Sequence, residues 1–154
     1  MSLTRPADRP SPVSPNLVGM PATQSPRALG IGRVLIVVYG ILALAATGRS
    51  VIQIIGKFDE APLAYSLSAL AAVVYILATV ALIMPGRAWR TVAWATVGFE
   101  FLGVIVIGVV SVLRPDLFTD ATVWSQFGLG YLLIPLVLPV LGLWWLWSRR
   151  KEFS

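Results

Sequence analysis

The stretch TVAWATVGFEFLGVIVIGVVSVL, residues 91–113, contains 23 residues, and Glu100 is the only charged residue among them. A helix of about 20 apolar residues crosses a hydrocarbon core of roughly 30 Å, so this stretch predicts a membrane-spanning helix. A carboxylic acid is costly at that depth, and such residues usually face a bundle interior, a partner or a pathway. Glu100 is therefore the principal candidate functional residue of the chain.

Three further apolar blocks have similar lengths, at residues 33–55, 64–84 and 127–147. The chain of 154 residues is 57% hydrophobic and only 12% charged, whereas a soluble domain carries about 25% charged residues. We therefore predict an all-α polytopic membrane protein, with a four-transmembrane-helix bundle over residues 29–148 and helices at about 33–55, 64–84, 91–113 and 127–147.

Two short tails flank the predicted bundle. Residues 1–28 contain six prolines among polar residues, and such a segment cannot bury enough apolar surface to offset the entropy of ordering. The sequence predicts a disordered, proline-rich N-terminal tail there, and a short basic tail at residues 149–154.

The distribution of basic residues predicts the orientation. If the N-terminus is cytoplasmic, nine Lys and Arg residues fall on the cytoplasmic side and two on the other, with Arg49 inside a span. This asymmetry follows the positive-inside rule. The net charge of +5 does not indicate a nucleic-acid partner, because the basic residues lie at the ends of apolar blocks rather than in one patch. We predict a multi-pass protein of a bacterial plasma membrane with both termini cytoplasmic.

The chain contains no Cys and no His. Disulfides, thiol chemistry, Cys/His metal sites and catalytic triads that use either residue are therefore excluded. Acidic residues are few and form no paired motif. The sequence thus predicts a protein that is not an enzyme and has neither a metal site nor a cofactor.

Polar residues on the first three predicted helices form stripes at helical spacing, suited to interhelical hydrogen bonds. Tyr39 lies on the stripe of the first helix. The candidate polar site comprises Glu100, Arg49, Gln53, Tyr75 and Thr96. Two arrangements are open for the charged residues. Arg49, about 9 Å from Glu100 in depth by helical rise, either pairs with Glu100 or extends to the outer surface and leaves Glu100 protonated.

Pro135 and Pro139 lie one turn apart inside the fourth predicted helix. Proline within a helix removes a backbone hydrogen bond and bends the helix, so the sequence predicts a helix kink at these residues. A kink beside a cavity suits ligand binding or gating, but the pattern favours a purely structural role.

Three segments carry a resemblance: GRSVIQIIGKFDEAPLAYSLSALAAVVY at 48–75, TVAWATVGFEFLGV at 91–104 and DATVWSQFGLGYLLIPLVLPVLGLWWL at 120–146. Together they resemble a family of uncharacterised small integral membrane proteins of actinobacteria with four spans. The resemblance covers about residues 33–147. It implies a fold and a membrane location but no activity and no site residues.

Two functions fit these observations. The first is a non-enzymatic structural or accessory subunit, or a lipid-associated factor. Its partners would be membrane lipids and a larger membrane-protein complex or a second copy of the chain. The alternative is a small proton-coupled transporter in which Glu100 is the titrating group.

Overall fold

The computed structural model describes residues 26–153, with side chains from residue 30 to residue 151. The predicted disordered tail therefore lies outside the described residues as far as residue 25. Its last three positions, 26–28, already belong to the first helix.

Helices account for almost all of the described chain, and residues 26–153 contain no strand. The four α-helices are α1 Pro26–Lys57, α2 Pro62–Ile83, α3 Arg87–Leu113 and α4 Ile134–Ser148. Within the described residues, α1, α2 and α3 are long and apolar enough to cross a membrane, and α4 makes a fourth span if it is counted with the bent segment before it. The predicted all-α membrane bundle is confirmed.

The fourth predicted helix, 127–147, is not continuous. A 3₁₀ segment, Ser125–Tyr131, precedes α4 and meets it at an angle of 101°. Pro135 lies in the first turn of α4, where its missing N–H does no harm. Extending the helix backwards would place the proline ring against the carbonyl of residue 131. The bend thus lies before Pro135, and Pro139 is inside α4.

The helices pack as neighbours around one core, with α2 between α1 and α3, and α4 against both α3 and α1. Small residues such as Ala46, Ala71 and Ala78 are almost fully buried and allow close approach of the backbones. Large apolar side chains cover the outside instead, including Leu44 at 78% and Ile55 at 82% exposure. An apolar surface of this extent suits lipid rather than water.

The two ends of the bundle carry opposite charge. The basic end consists of the start of α1, the α2–α3 connection and the end of α4. The start of α1 and the end of α4 meet there, since Trp145 of α4 lies against Gly32 of α1. The basic residues there with described side chains are Arg33, Arg87, Arg90, Arg149, Arg150 and Lys151. The acidic end holds the α1–α2 and α3–α4 connections, with acidic residues Asp59, Glu60, Asp116 and Asp120.

Candidate functional site

Glu100 lies on the core face of α3, where Val97 and Val104 are buried with it at helical spacing. Its side chain is 0% exposed. The hydroxyl of Tyr39 on α1 donates a hydrogen bond to Oε2 of Glu100 over 2.6 Å. The other oxygen, Oε1, has no hydrogen-bond partner among the described residues. The carboxyl group is thus sealed inside the bundle and held by one strong donor.

Two further aromatic residues complete the surroundings of this carboxyl. Tyr75 on α2 lies beside Glu100, and its ring centroid is 6.2 Å from that of Tyr39. Trp124, from the α3–α4 connection, donates a hydrogen bond from Nε1 to the Tyr75 hydroxyl over 3.1 Å. Because indole only donates, the proton of Tyr75 remains directed away from Trp124. We call Tyr39, Tyr75, Glu100 and Trp124 the Glu100 cluster.

Glycines let the surrounding elements approach the cluster. A Cβ at Gly103, one turn beyond Glu100 on α3, would lie 3.0 Å from the Trp124 ring. A Cβ at Gly142 on α4 would lie 3.1 Å from Val97 and 3.6 Å from the hydroxyl of Tyr39. The absence of side chains at these two positions lets Trp124 cover one side of Glu100 and α4 close another.

Arg49 does not reach Glu100. Its Nη2 atom donates to the carbonyl oxygen of Ala121 over 2.7 Å and lies 3.9 Å from Oδ1 of Asp120. Of the two arrangements left open, the structure shows the one in which Arg49 extends towards the outer surface, and the pair with Glu100 is not formed. The physical reason is that the α3–α4 connection folds back over the acidic end. It offers Arg49 a carboxylate and a carbonyl at a partly exposed site, where an ion pair loses less hydration than in the core.

The remaining predicted site residues lie apart from the cluster. Thr96, one turn before Glu100, donates its hydroxyl to the carbonyl oxygen of Val92 in its own helix over 2.8 Å. Gln53 is half-buried on α1, and its Oε1 atom has no hydrogen-bond partner among residues 26–153. Of the four residues predicted to accompany Glu100, only Tyr75 lies in the cluster.

Sequence reasoning missed Tyr39 and Trp124 as site residues. Tyr39 lies on the polar stripe predicted for the first helix, and a tyrosine inside an apolar span is a signal because its hydroxyl needs a partner. Trp124 has no such signal, since a tryptophan near the end of a span is usually an interfacial anchor. It is 1% exposed, so here it belongs to the core.

A cavity of about 410 Å³ opens at the acidic end, lined by residues that include Arg49, Ser111, Asp120 and Gln126. Glu100 is not among its lining residues within the described chain. Trp124 contacts α3 at Gly103, between the depth of Glu100 and that of Ser111. The indole ring therefore separates this polar cavity from the buried carboxyl.

The acidic end also carries an exposed ion pair. Arg114 donates hydrogen bonds to both carboxylate oxygens of Asp116, over 3.0 Å and 2.9 Å. These charged donors hold the pKa of Asp116 below its ordinary value. Over residues 26–153, no group of three His, Cys, Asp or Glu side chains is placed to hold a metal ion.

Comparisons of the chain with protein-family models, with curated proteins and with solved structures give no match. The resemblance to the actinobacterial four-span proteins therefore stays a prediction, and no residue role is transferred from it.

Proposed function

We propose that this protein is a non-enzymatic structural or accessory subunit, or a lipid-associated factor, of a bacterial plasma membrane. The observation that carries the proposal is the complete enclosure of Glu100, which is 0% exposed and bonded to Tyr39 of another helix. A carboxyl group held in this way joins helices, and it has no access to a substrate.

The Glu100 cluster supports a structural role because each of its members comes from a different element. Tyr39 lies on α1, Tyr75 on α2, Glu100 on α3 and Trp124 in the connection to α4. Since lipid supplies no hydrogen bonds, polar contacts between helices favour one register over its neighbours. The cluster would thus fix the relative depth of three helices and of the segment that leads into the fourth.

The hydroxyl groups near the cluster support the absence of an enzymatic role. Thr79, Thr96 and Ser111 each donate to a backbone carbonyl of their own helix, at 2.7, 2.8 and 2.9 Å. A nucleophilic hydroxyl needs instead a neighbouring base that accepts its proton. The hydroxyl proton of each of the three side chains is thus held by a backbone carbonyl of its own helix.

Substitution of Glu100 tests this proposal. Glu100→Gln keeps an oxygen that accepts the Tyr39 hydrogen bond, so abundance and thermal stability in mild detergent should stay near wild type. Glu100→Leu leaves the hydroxyl of Tyr39 buried without an acceptor, which costs about 1–3 kcal/mol. A partner that co-purifies with wild type and Glu100→Gln but not with Glu100→Leu would support the subunit role. Wild-type stability of Glu100→Leu would contradict the structural role.

A second function, a small proton-coupled transporter, is favoured by one specific observation. Oε1 of Glu100 has no hydrogen-bond partner among the described residues, and the Trp124 ring lies between the carboxyl and the polar cavity at the acidic end. A movement of the indole ring would admit water to a group that can bind a proton. This arrangement would correspond to an occluded state of a carrier.

Proton flux into liposomes that contain the purified protein tests the carrier. If Glu100 is the titrating group, Glu100→Gln should abolish flux while the protein stays folded, because an amide does not exchange a proton at neutral pH. Thr96→Val is a matched control one turn away on the same face. Flux that is absent from wild type, or that survives in Glu100→Gln, would exclude this function.

A further inference from the structure

A cavity of about 350 Å³ lies at the basic end between α2, α3 and α4. Three arginines line it: Arg87 and Arg90 from the first turn of α3, and Arg149 just after α4. Its other lining residues form a largely apolar wall that includes Leu82, Met84 and Trp145, and the guanidinium carbon of Arg149 lies 4.8 Å from the centre of the Trp145 ring. A cavity that combines cationic groups with an apolar lining matches an amphipathic anion.

The basic surface extends beyond this cavity. A second hollow of about 510 Å³ shares Arg87 and Arg90 and adds Trp94 and Arg150 to its lining. Arg90 and Arg149 are half-buried, whereas Arg87 and Arg150 are exposed. The four guanidinium groups therefore form a gradient from the aqueous surface into the bundle.

The start of α3 adds a positive potential of a different origin. Gly86, which also lines the first cavity, occupies the N-cap of α3 with a φ of 115°, and no side chain caps this terminus. The first backbone N–H groups of a helix have no partner within it, and the helix dipole is positive at this end. An anion in the cavity would meet these donors as well as the arginines.

The charge of this region is strongly one-sided. None of the residues that line the two hollows, within the described chain, is acidic. The sequence places five basic residues at 87, 90 and 149–151 and one acidic residue at 152, which gives a net charge of +4 for this region.

We propose that the basic-end cavity binds the phosphate headgroup of an anionic phospholipid. Arginine forms paired hydrogen bonds with phosphate oxygens, and basic pockets at the ends of spanning helices are suited to anionic headgroups. The apolar wall, formed by the last turn of α2 and the end of α4, continues into the lipid-facing surface, so acyl chains follow it into the membrane. A free phosphate ion would leave this wall unused.

The assignment rests on the lipid-associated part of the proposed function and uses no residue of the Glu100 cluster. Its failure would therefore leave the structural role of Glu100 untouched. Conversely, Glu100→Leu could prove harmless while the basic-end cavity still bound lipid. The two sets of variants separate the two proposals.

Native mass spectrometry of the full chain in a neutral detergent tests the site. Phosphatidylglycerol should be retained at lower added concentration than phosphatidylcholine, which carries no net charge. Each basic residue near an anionic lipid contributes roughly a factor of five in affinity. The double variant Arg87→Gln/Arg90→Gln should therefore bind phosphatidylglycerol about 30-fold more weakly.

Arg33→Gln is the matched control, because Arg33 is an exposed arginine of the same end that lines neither hollow. Its effect should be no more than about twofold, since an exposed charge outside the cavity acts through screening solvent. Inorganic phosphate is the second arm of the experiment. Millimolar phosphate that displaced the lipid from wild type would show that the site takes the free anion, and would overturn the assignment to a lipid.

Three further results would contradict the proposal. These are equal retention of phosphatidylcholine by wild type, an equal loss of phosphatidylglycerol in Arg33→Gln, and undiminished binding by a folded double variant. If the double variant does not fold, the comparison of the two lipids on the wild-type chain still decides whether the cavity selects an anionic headgroup.

Discussion

Tyr39→Phe is the sharpest perturbation of the Glu100 cluster because it removes one oxygen atom and nothing else. The phenyl ring keeps its place against Tyr75, whose ring centroid lies 6.2 Å away. The atom lost is the donor that lies 2.6 Å from Oε2 of Glu100. Since Oε1 has no hydrogen-bond partner among the described residues, the variant leaves the neighbouring Tyr75 hydroxyl as the remaining donor beside the carboxyl group.

The magnitude follows from the burial of both partners. A buried polar group that loses its partner costs about 1–3 kcal/mol, whereas hydrogen bonds between membrane helices average about 0.6 kcal/mol. Tyr39 and Glu100 are both 0% exposed, so water cannot replace the lost hydroxyl. We therefore expect a loss of about 1–2 kcal/mol in the free energy of unfolding, above the membrane average.

Tyr65→Phe is the matched control. The hydroxyl of Tyr65 donates to Oδ2 of Asp120 over 3.0 Å, but the side chain of Asp120 is 44% exposed. Water can take the place of that hydroxyl, so the same chemical change should cost less than Tyr39→Phe.

Reversible unfolding with sodium dodecyl sulfate in mixed micelles, followed by tryptophan fluorescence, would give both free energies. The buried indole of Trp124, bonded to Tyr75, also makes the emission sensitive to the cluster. A Tyr39→Phe variant as stable as wild type, or less damaged than Tyr65→Phe, would refute the view that the buried carboxyl depends on Tyr39.

Three further outcomes are expected. In a double-mutant cycle, Arg49→Met and Glu100→Gln should add within about 0.5 kcal/mol, because the two side chains share no partner; a larger coupling would restore their pairing. Gly108→Ala should lower the free energy of unfolding by about 1–3 kcal/mol, since the added Cβ would lie 2.5 Å from Phe127. Gly98→Ala is the control in the same unfolding assay and should be neutral, because its Cβ meets nothing within 4 Å. Reporter fusions after the last residue and within the α3–α4 connection should report opposite sides of the membrane, with the former cytoplasmic; the reverse result would overturn the predicted orientation.

The first three spans could be predicted from the sequence because apolar length alone defines them. The observed helix boundaries differ from the predicted ones where the helical backbone continues past the apolar block. Helix α1 begins at residue 26 rather than 33, and α3 begins at Arg87 rather than at 91. Arginine is a good helix former, and a long side chain can hold its charge at the surface while its stem covers apolar area. A hydropathy pattern therefore gives the length of the apolar, lipid-facing segment and not the full length of the helix.

The candidate site could be predicted only in part because it depends on which helix faces meet. An isolated acid in a span indicates a buried residue, and Glu100 is buried. Its donor, Tyr39, belongs to a helix 61 residues earlier in the chain, and no periodicity specifies that contact. The arrangement of Arg49 stayed open for a related reason. The depth of Arg49 along α1 indicates which levels of the bundle its side chain can reach. Its partners are Ala121 and Asp120, and they belong to a connection whose fold the sequence pattern does not show.

That connection also explains how a short α4 fits into the bundle. Its 15 residues span about 22 Å, less than the roughly 30 Å of a hydrocarbon core. The preceding irregular chain supplies the remaining length, and irregular backbone at membrane depth needs partners within the protein. Here the N–H of Gln126 donates to the hydroxyl of Ser111 over 2.7 Å, and that of Thr122 donates to Ser125 over 2.8 Å. The first bond holds the connection against α3 and the second lies within the connection, and Trp124 is placed over Gly103 and bonded to Tyr75. The break in the fourth span is thus the feature that closes the Glu100 cluster.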